Sequence, residues 1–336
     1  MITPDMVKAC YRVLLNREPE SEEAVMGKAE LPDFEALLLD FVSSPEYQTK
    51  VPELTRIIDA IYDGADRNID YEVSAEQLAA CFMRVRREWT LLGEREPYWS
   101  VITGEAFKSS NLDDKALDTF FTSGRRTVSH LKNCLSRTGR ELAKGHCLEF
   151  GCGTGRVTRY LAELFDFVTG IDVSPAHLKL AGENIRHAGI ANVSFKLLES
   201  PEQLSSTPEC DFLFSTLVLQ HNPPPLQNFT LDKLFARIRP GGSAFIQIPT
   251  HTPGYVFKIE QYLSTPSPGM EMHSLPMQVV FERLDQHNMV PVEVLMDDMT
   301  GMLGSHTFFA IKRARPQTET TIWYKLQAVL FGSGKR

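Results

Sequence analysis

The sequence predicts an α/β protein built on a mostly parallel, doubly wound sheet and preceded by an all-helical N-terminal module. Three observations carry this. A glycine-rich turn, Gly151-Cys152-Gly153-Thr154-Gly155, follows directly on the short apolar run His146-Cys147-Leu148-Glu149-Phe150. From there to Ile248, strand-like apolar segments alternate with helical ones. The N-terminal third shows only helical periodicity.

Val7, Cys10, Tyr11, Val13, Leu14 and Leu15 have the periodicity of a first helix, which stops at Asn16-Arg17-Glu18-Pro19. A second helix, Phe34 to Phe41, ends at Ser43-Ser44-Pro45. A module of about 50 residues buries little surface alone, so it should pack on something. Ser74 with Gln77 forms a capping box for a helix over 74–92, whose narrow stripe is Leu78, Cys81, Phe82, Val85, Trp89 and Leu92. Such a stripe packs across the α/β domain or makes a dimer contact. Pro97-Tyr98-Trp99, Phe107 and Phe120-Phe121 then lead into the first strand, with Tyr98 and Trp99 either covering a ligand or anchoring the core.

After the strand 146–150, the glycines at alternate positions give a tight turn that can lie flat against a ligand. The dinucleotide pattern G-x-G-x-x-G is excluded, because Arg156 stands where its last glycine belongs. A helix over Arg156–Leu164 is followed by a strand over Phe165–Ile171 that ends in Asp172. Asp172 lies about 21 residues after Gly151, an offset at which a carboxylate reaches a ribose diol; in isolation it would read as a cap or turn residue. Ser174-Pro175 opens the next helix and so puts Asp172 at a carboxyl strand end, where open sheets bind ligands. A third strand, Val193 to Leu197, leads to Glu199, an adenine contact or a solvated loop acid. The fourth, Asp211 to Leu219, runs into Gln220-His221-Asn222 and three prolines. Arg237 to Gly242 marks a helix C-terminus, Ser243 to Ile248 makes the fifth strand, and Pro291–Met296 with His306–Ile311 forms a closing antiparallel pair.

Residues 146–248 resemble the class I S-adenosylmethionine-dependent methyltransferases through LEFGCGTGR, GIDVS, DFLFSTLVLQHNPPP and RIRPGGSAFIQI. The resemblance implies a Rossmann-like, seven-stranded sheet, mostly parallel with the last strand antiparallel, and S-adenosylmethionine as cofactor. It implies cofactor contacts from Gly151, Gly153, Gly155, Asp172 and Val173, and from Thr216 and Leu217 beside the methionine part. Glu149 would hold the loop or meet the ligand's ammonium, and Glu199 would face the adenine. It also implies that the region before the glycine loop folds over the cofactor as a lid. At the N-terminus, YRVLLNREP and FVSSPEY resemble a small bacterial helical domain of unknown function that is often fused to glycan-modifying enzymes. Its loop often holds glycine and aspartate, where this chain has Glu20-Ser21-Glu22-Glu23. The organisation expected is a helical module over 1–55, a helical linker and lid over 56–144, a core over 145–315 with a substrate cap over 250–276, and a tail helix over 316–336.

His221 is the candidate base: an imidazole with an ordinary pKa near 6.5 suits removal of a hydroxyl proton, and the alternatives are lining the pocket or capping the next helix. Tyr255 and His273 are the candidate substrate contacts, in a cap segment whose aromatic faces and scattered polar groups suit a sugar or another mid-sized polar ligand. No histidine shows metal-ligand spacing with an acid, so no metal is expected. A net charge of −8 disfavours a nucleic-acid backbone as partner. Six scattered cysteines with no C-x-x-C, and no signal peptide or apolar span, suit a cytoplasmic protein. In the tail, Ile322, Trp323, Leu326, Val329 and Leu330 share a helical face that packs on the enzyme or on a second subunit, or makes weak contact with a membrane surface. The leading expectation is O-methylation of a sugar in a bacterial surface polysaccharide or related glycan. The alternatives are N- or O-methylation of another small molecule, and a non-catalytic scaffold acting through the N-terminal helices.

Overall fold

The computed structural model describes residues 2–15, 17–50, 68–252, 254–301 and 304–314. The expected tail helix lies outside the described residues. The chain divides into two compact units, Met1–Ala65 and Asp66–Arg336.

The first unit holds α1 (Pro4–Leu15), α2 (Glu22–Ala29), α3 (Phe34–Val42) and α4 (Pro45–Lys50). Val7, Tyr11, Val25, Leu37 and Phe41 are buried at its centre, with the edge of the Tyr11 ring on Phe41 at 4.8 Å. Helix α2 is absent from the sequence reading because Val25 is its one buried side chain, which leaves no apolar stripe to detect. The acids between α1 and α2 serve local structure. Ser21 caps α2 by accepting from Ala24 N at 3.1 Å, Glu20 pairs with Arg17 at 2.7 Å, and Glu22 pairs with Lys8 at 2.7 Å.

The second unit is a seven-stranded sheet in the order β3-β2-β1-β4-β5-β7-β6. The strands are β1 (His146–Phe150), β2 (Phe167–Asp172), β3 (Val193–Leu197), β4 (Cys210–Ser215), β5 (Ile238–Pro249), β6 (Met289–Asp297) and β7 (Ser305–Lys312). Only β7 runs antiparallel to its neighbours, inserted between β5 and β6. Alternation along the strands sorts the core into two faces. Leu148, Phe150, Leu213, Ile246 and Phe308 face α5 (Ala75–Arg95), α9 (Pro224–Arg237) and α11 (Met277–Gln286). Cys147, Val168, Phe212, Phe214, Phe245 and Phe309 face α6 (Asp114–Thr138) and α7 (Thr158–Leu161). Helix α5 begins at the capping box of Ser74 and Gln77 and sends Phe82 and Val85 into the first face, so its stripe packs on the sheet. Helices α5 and α6 belong to this second unit. The remaining helices are α8 (Pro175–His187) and α10 (Ile259–Ser264).

Several element ends differ from the sequence reading. Strand β4 stops at Ser215 rather than Leu219, because Leu217 takes a left-handed backbone (φ 61°) and donates its N–H to the Gln247 side chain at 2.8 Å. Strand β5 starts at Ile238 rather than Ser243, pairing Ile238 with Cys210 before an irregularity lets Ser243 pair with Phe212. The helix after the glycine turn keeps only the four residues of α7.

Candidate functional site

The strand order reverses at β1: β2 lies on one side and β4 on the other, and the chain leaves both β1 and β4 at the same sheet end. That switch point is where an open α/β sheet has a crevice, because successive connections diverge to opposite faces. A cavity opens there, lined among others by Trp89, Glu149, Gly151, Asp172, Thr216 and His221.

The glycine turn forms one wall. Gly151 N and Cys152 N both donate to Ile171 O, at 2.8 and 3.2 Å, which pins the turn to the end of β2. Asp172 locks it from outside: Gly153 N donates to one carboxylate oxygen and Ser174 N to the other, each at 2.9 Å. Gly151 has φ 73°, and a Cβ there would lie 2.4 Å from both methyls of Val218. No side chain fits, so the wall is bare backbone pressed against the segment after β4. Gly155 also has positive φ but stands against Ala181 of α8, outside the cavity lining.

Below the turn, Glu149 is buried at 3 % exposure and accepts a hydrogen bond from Thr158 Oγ1 at 2.6 Å. Burial pushes its carboxyl up to about 8, against the lowering effects of Thr158 and the Arg156 charge. Beyond β4, Thr216 and Leu217 line the cavity, and the buried Thr216 Oγ1 has no hydrogen-bond partner. Leu217 occupies a backbone region that costs a non-glycine residue of order 1–3 kcal/mol. Gln247 offsets that cost. Its amide accepts from Leu217 N and donates to Ser305 Oγ at 2.7 Å, tying the loop to β7.

His221 follows on a short 3₁₀ turn, Leu219–His221. Its Nδ1 lies 2.9 Å from the Glu271 carbonyl oxygen, which can only accept. Nδ1 therefore carries the proton and Nε2 is the accepting nitrogen. Burial holds the imidazole down to about 4. The Trp89 ring from α5 covers it, centroids 4.9 Å apart.

Of the remaining residues singled out from sequence, Val173 lines the cavity, whereas Glu199 is exposed, outside the lining and 3.8 Å from Arg86. Tyr255 and His273 also lie outside the cavity lining. They bond to each other, Tyr255 Oη to His273 Nδ1 at 2.7 Å, beside Phe257 and Tyr262. Tyr98 and Trp99 pack with Phe107 and Phe120, and it is Ser100 and Val101 that reach the cavity. A Cβ on Gly153 would lie 2.9 Å from Val101, so this turn rests on the glycine loop. His177, third in α8, holds it there through Nε2, 2.9 Å from Ser100 Oγ and 3.2 Å from Pro97 O. Sequence reasoning missed Arg156, His177 and the site role of Trp89. Arg156 had a local signal, adjoining the glycine turn; the other two are brought in by tertiary packing alone.

Comparison with known proteins agrees with this geometry. Residues 147–242 match a family model described as a methyltransferase domain. This segment is a class I S-adenosylmethionine-dependent methyltransferase domain. The chain is 29 % identical over 120 residues to ubiquinone biosynthesis O-methyltransferase of Pseudomonas fluorescens (strain Pf0-1), covering 35 % of this chain and 50 % of that protein. Against the protein of the same name from Xanthomonas euvesicatoria pv. vesicatoria it is 28 % identical over 160 residues, covering 44 % and 65 %. It thus spans about half to two thirds of these curated relatives. Among solved structures, magnesium protoporphyrin IX methyltransferase from Synechocystis PCC 6803 with bound SAH superposes with a TM-score of 0.49 at 18 % identity, over 69 % of this chain and 99 % of that one.

The residues present in the methyltransferase domain fit S-adenosylmethionine. The glycine turn offers a side-chain-free backbone wall, and Asp172 stands at the carboxyl end of β2. Two buried polar atoms beside the turn, Thr216 Oγ1 and Arg156 Nε, have no protein partner. Among the described residues, no group of three or more His, Cys, Asp or Glu is placed to hold a metal ion, and no helix is long and apolar enough to cross a membrane.

Proposed function

We propose that the chain is an S-adenosylmethionine-dependent methyltransferase that methylates a hydroxyl group, with His221 as the base. The observation that carries this reading is the state of the His221 ring, which lines the same cavity as the glycine turn: Nδ1–H is spent on the Glu271 carbonyl, and Nε2, 3.4 Å from the Gln220 amide nitrogen, is the basic nitrogen.

Bound against the glycine turn, S-adenosylmethionine supplies a methyl group already activated by its sulfonium. The protein then has to hold, align and deprotonate. Asp172 spends one lone pair of each oxygen on Gly153 N and Ser174 N and keeps the others for a ribose diol. Glu149 meets the ligand's ammonium from below. Trp89, Val85 and Val218 exclude water beside His221 and give the acceptor ring a flat apolar wall. His221 Nε2 would take the hydroxyl proton as the methyl group passes from sulfonium to oxygen, the C–S bond breaking as the C–O bond forms and its electron pair staying on sulfur. With its pKa held near 4 the imidazole is unprotonated throughout the neutral range. It is a weak base, called on when C–O bond formation has already acidified the hydroxyl.

For the acceptor we propose a sugar hydroxyl of a bacterial glycan. Support comes from the N-terminal sequence resemblance and from the Trp89 face, which suits the apolar face of a sugar ring. A second reading, an acceptor from ubiquinone biosynthesis, is favoured by the names of the curated relatives and would lay a flat ring on the same tryptophan. Both readings are tested by incubating the protein with methyl-labelled S-adenosylmethionine and a panel of glycans, ubiquinone precursors and amines, with transfer followed by mass spectrometry. Label on a sugar oxygen is the expected result. Label on an amine would overturn the hydroxyl reading, and cofactor binding with no transfer to any acceptor would favour a scaffold.

A further inference from the structure

We infer that Arg156 reads the α-carboxylate of the cofactor's amino-acid end, an inference that rests on the methyltransferase reading above. Arg156 lines the cavity directly after the glycine turn and is only 4 % exposed. Its Nη1 donates to two neutral hydroxyls of α6, Ser123 Oγ at 3.2 Å and Thr127 Oγ1 at 3.1 Å, while its buried Nε has no partner. Among the described residues, no carboxylate lies within ion-pair distance of it. A buried guanidinium with neutral acceptors on one edge and nothing on the other is costly. Taking a charge out of water is offset only by a paired anion or a full set of acceptors.

Two local features show that the guanidinium is placed by construction. Gly124 lies between Ser123 and Thr127 on α6, and a Cβ there would come within 2.2 Å of the Arg156 carbonyl oxygen. The helix therefore presses directly on the end of the glycine turn, and the hydroxyls either side of Gly124 reach one edge of the guanidinium. The other edge is left for an anion. Glu149, the acid whose charge acts on Arg156, forms no ion pair with it and accepts instead from the Thr158 hydroxyl at 2.6 Å. An amino-acid end carries one anionic group, its carboxylate. A planar guanidinium edge binds a carboxylate through two parallel N–H···O bonds, which a lysine cannot reproduce.

The test compares S-adenosylhomocysteine with its analogue lacking only the α-carboxyl group, by isothermal calorimetry on the full chain. The wild-type protein should bind the decarboxylated analogue about 10- to 100-fold more weakly, the range for charge-assisted hydrogen bonds. In Arg156→Met and Arg156→Lys that ratio should collapse to within about threefold, because the analogue loses nothing when the guanidinium goes. Should both variants fail to fold, Ser123→Ala/Thr127→Val keeps Arg156 and removes only its Nη1 acceptors, and it should lower the ratio several-fold. A wild-type ratio near one, or a ratio unchanged in the variants, overturns the assignment of Arg156. Failure of the wild-type protein to bind S-adenosylhomocysteine at all would instead overturn the methyltransferase reading.

Discussion

Glu149→Gln should gain stability relative to the wild-type protein as pH rises from 5 to 8. In the folded chain burial raises the Glu149 carboxyl from 4.5 to about 8, and Asp172 adds to the rise. Between those values the unfolded chain has released the proton and the folded chain keeps it. The contribution of Glu149 to stability is therefore complete below about pH 4.5 and is lost as pH rises towards 8. At ~1.4 kcal/mol per pH unit, the loss reaches roughly 3 kcal/mol at pH 7 and roughly 5 kcal/mol above pH 8. Glutamine cannot ionise and keeps an oxygen for the Thr158 hydroxyl, now 2.6 Å from the carboxylate. Its amide N–H atoms add a cost that does not depend on pH, so the diagnostic is the slope of the difference. Urea denaturation of both proteins at intervals from pH 5 to pH 8 should show the variant gaining on wild type by ~1.4 kcal/mol per unit, since every other titrating group is common to both. A difference that stays flat across that range would refute the reasoning and place the Glu149 carboxyl near its ordinary value.

Asp172→Ala should weaken S-adenosylhomocysteine binding by about 1.5–3 kcal/mol through lost charge-assisted hydrogen bonds, and should also release Gly153 N and Ser174 N; unchanged calorimetric affinity would remove Asp172 from the site. His221→Ala should lower turnover by about 10²–10⁴ with little change in cofactor affinity. With the folded-state pKa near 4, wild-type kcat/KM should fall only below about pH 5, as Nε2 becomes protonated; an acid limb centred near 6.5 would contradict the burial argument. Gly151→Ala should abolish measurable cofactor binding, because its Cβ would meet Val218 at 2.4 Å on a backbone with φ 73°; retained affinity would show that the turn relaxes.

How far these residues could be read from sequence depends on whether their placement is local. Strands β1, β2 and β3 are apolar runs bounded by turn residues, and the observed ends fall within two residues of the expected ones. Gly151, Gly153 and Asp172 were legible because the turn and the strand end that hold them are contiguous motifs, and the structure brings them to one cavity. Strand β4 was not legible past Ser215, because what turns the chain out of the sheet is Gln247, thirty residues further on. Trp89 read as one more member of an apolar stripe, and nothing in the spacing of α5 shows that its last turns overhang His221. Tyr255 and His273 were chosen from the aromatic composition of their segment, whereas the structure spends the Tyr255 hydroxyl and one His273 nitrogen on each other. Composition reports which groups a segment owns and carries no information on which are already paired.

The same distinction separates the two halves of the site. The cofactor half is built from backbone: a glycine turn, two strand ends and the amides that Asp172 collects. The half proposed for the acceptor hangs on side chains from distant segments. His221 owes its tautomer to the Glu271 carbonyl, and the Glu271 carboxylate is gripped by Arg84 of α5 through two bonds, at 2.8 and 3.1 Å. Arg84 also donates to the carbonyls of Tyr262 and Thr265, so one guanidinium holds both ends of the segment whose Glu271 carbonyl meets His221 Nδ1. This pair is part-buried on both sides, with 12 % and 17 % side-chain exposure, so removing one partner leaves the other poorly compensated. Helix α5 therefore acts on the imidazole twice, through Trp89 over its face and through Arg84 and Glu271 behind its Nδ1. The glycine turn and the surroundings of the His221 ring are thus held by separate parts of this fold.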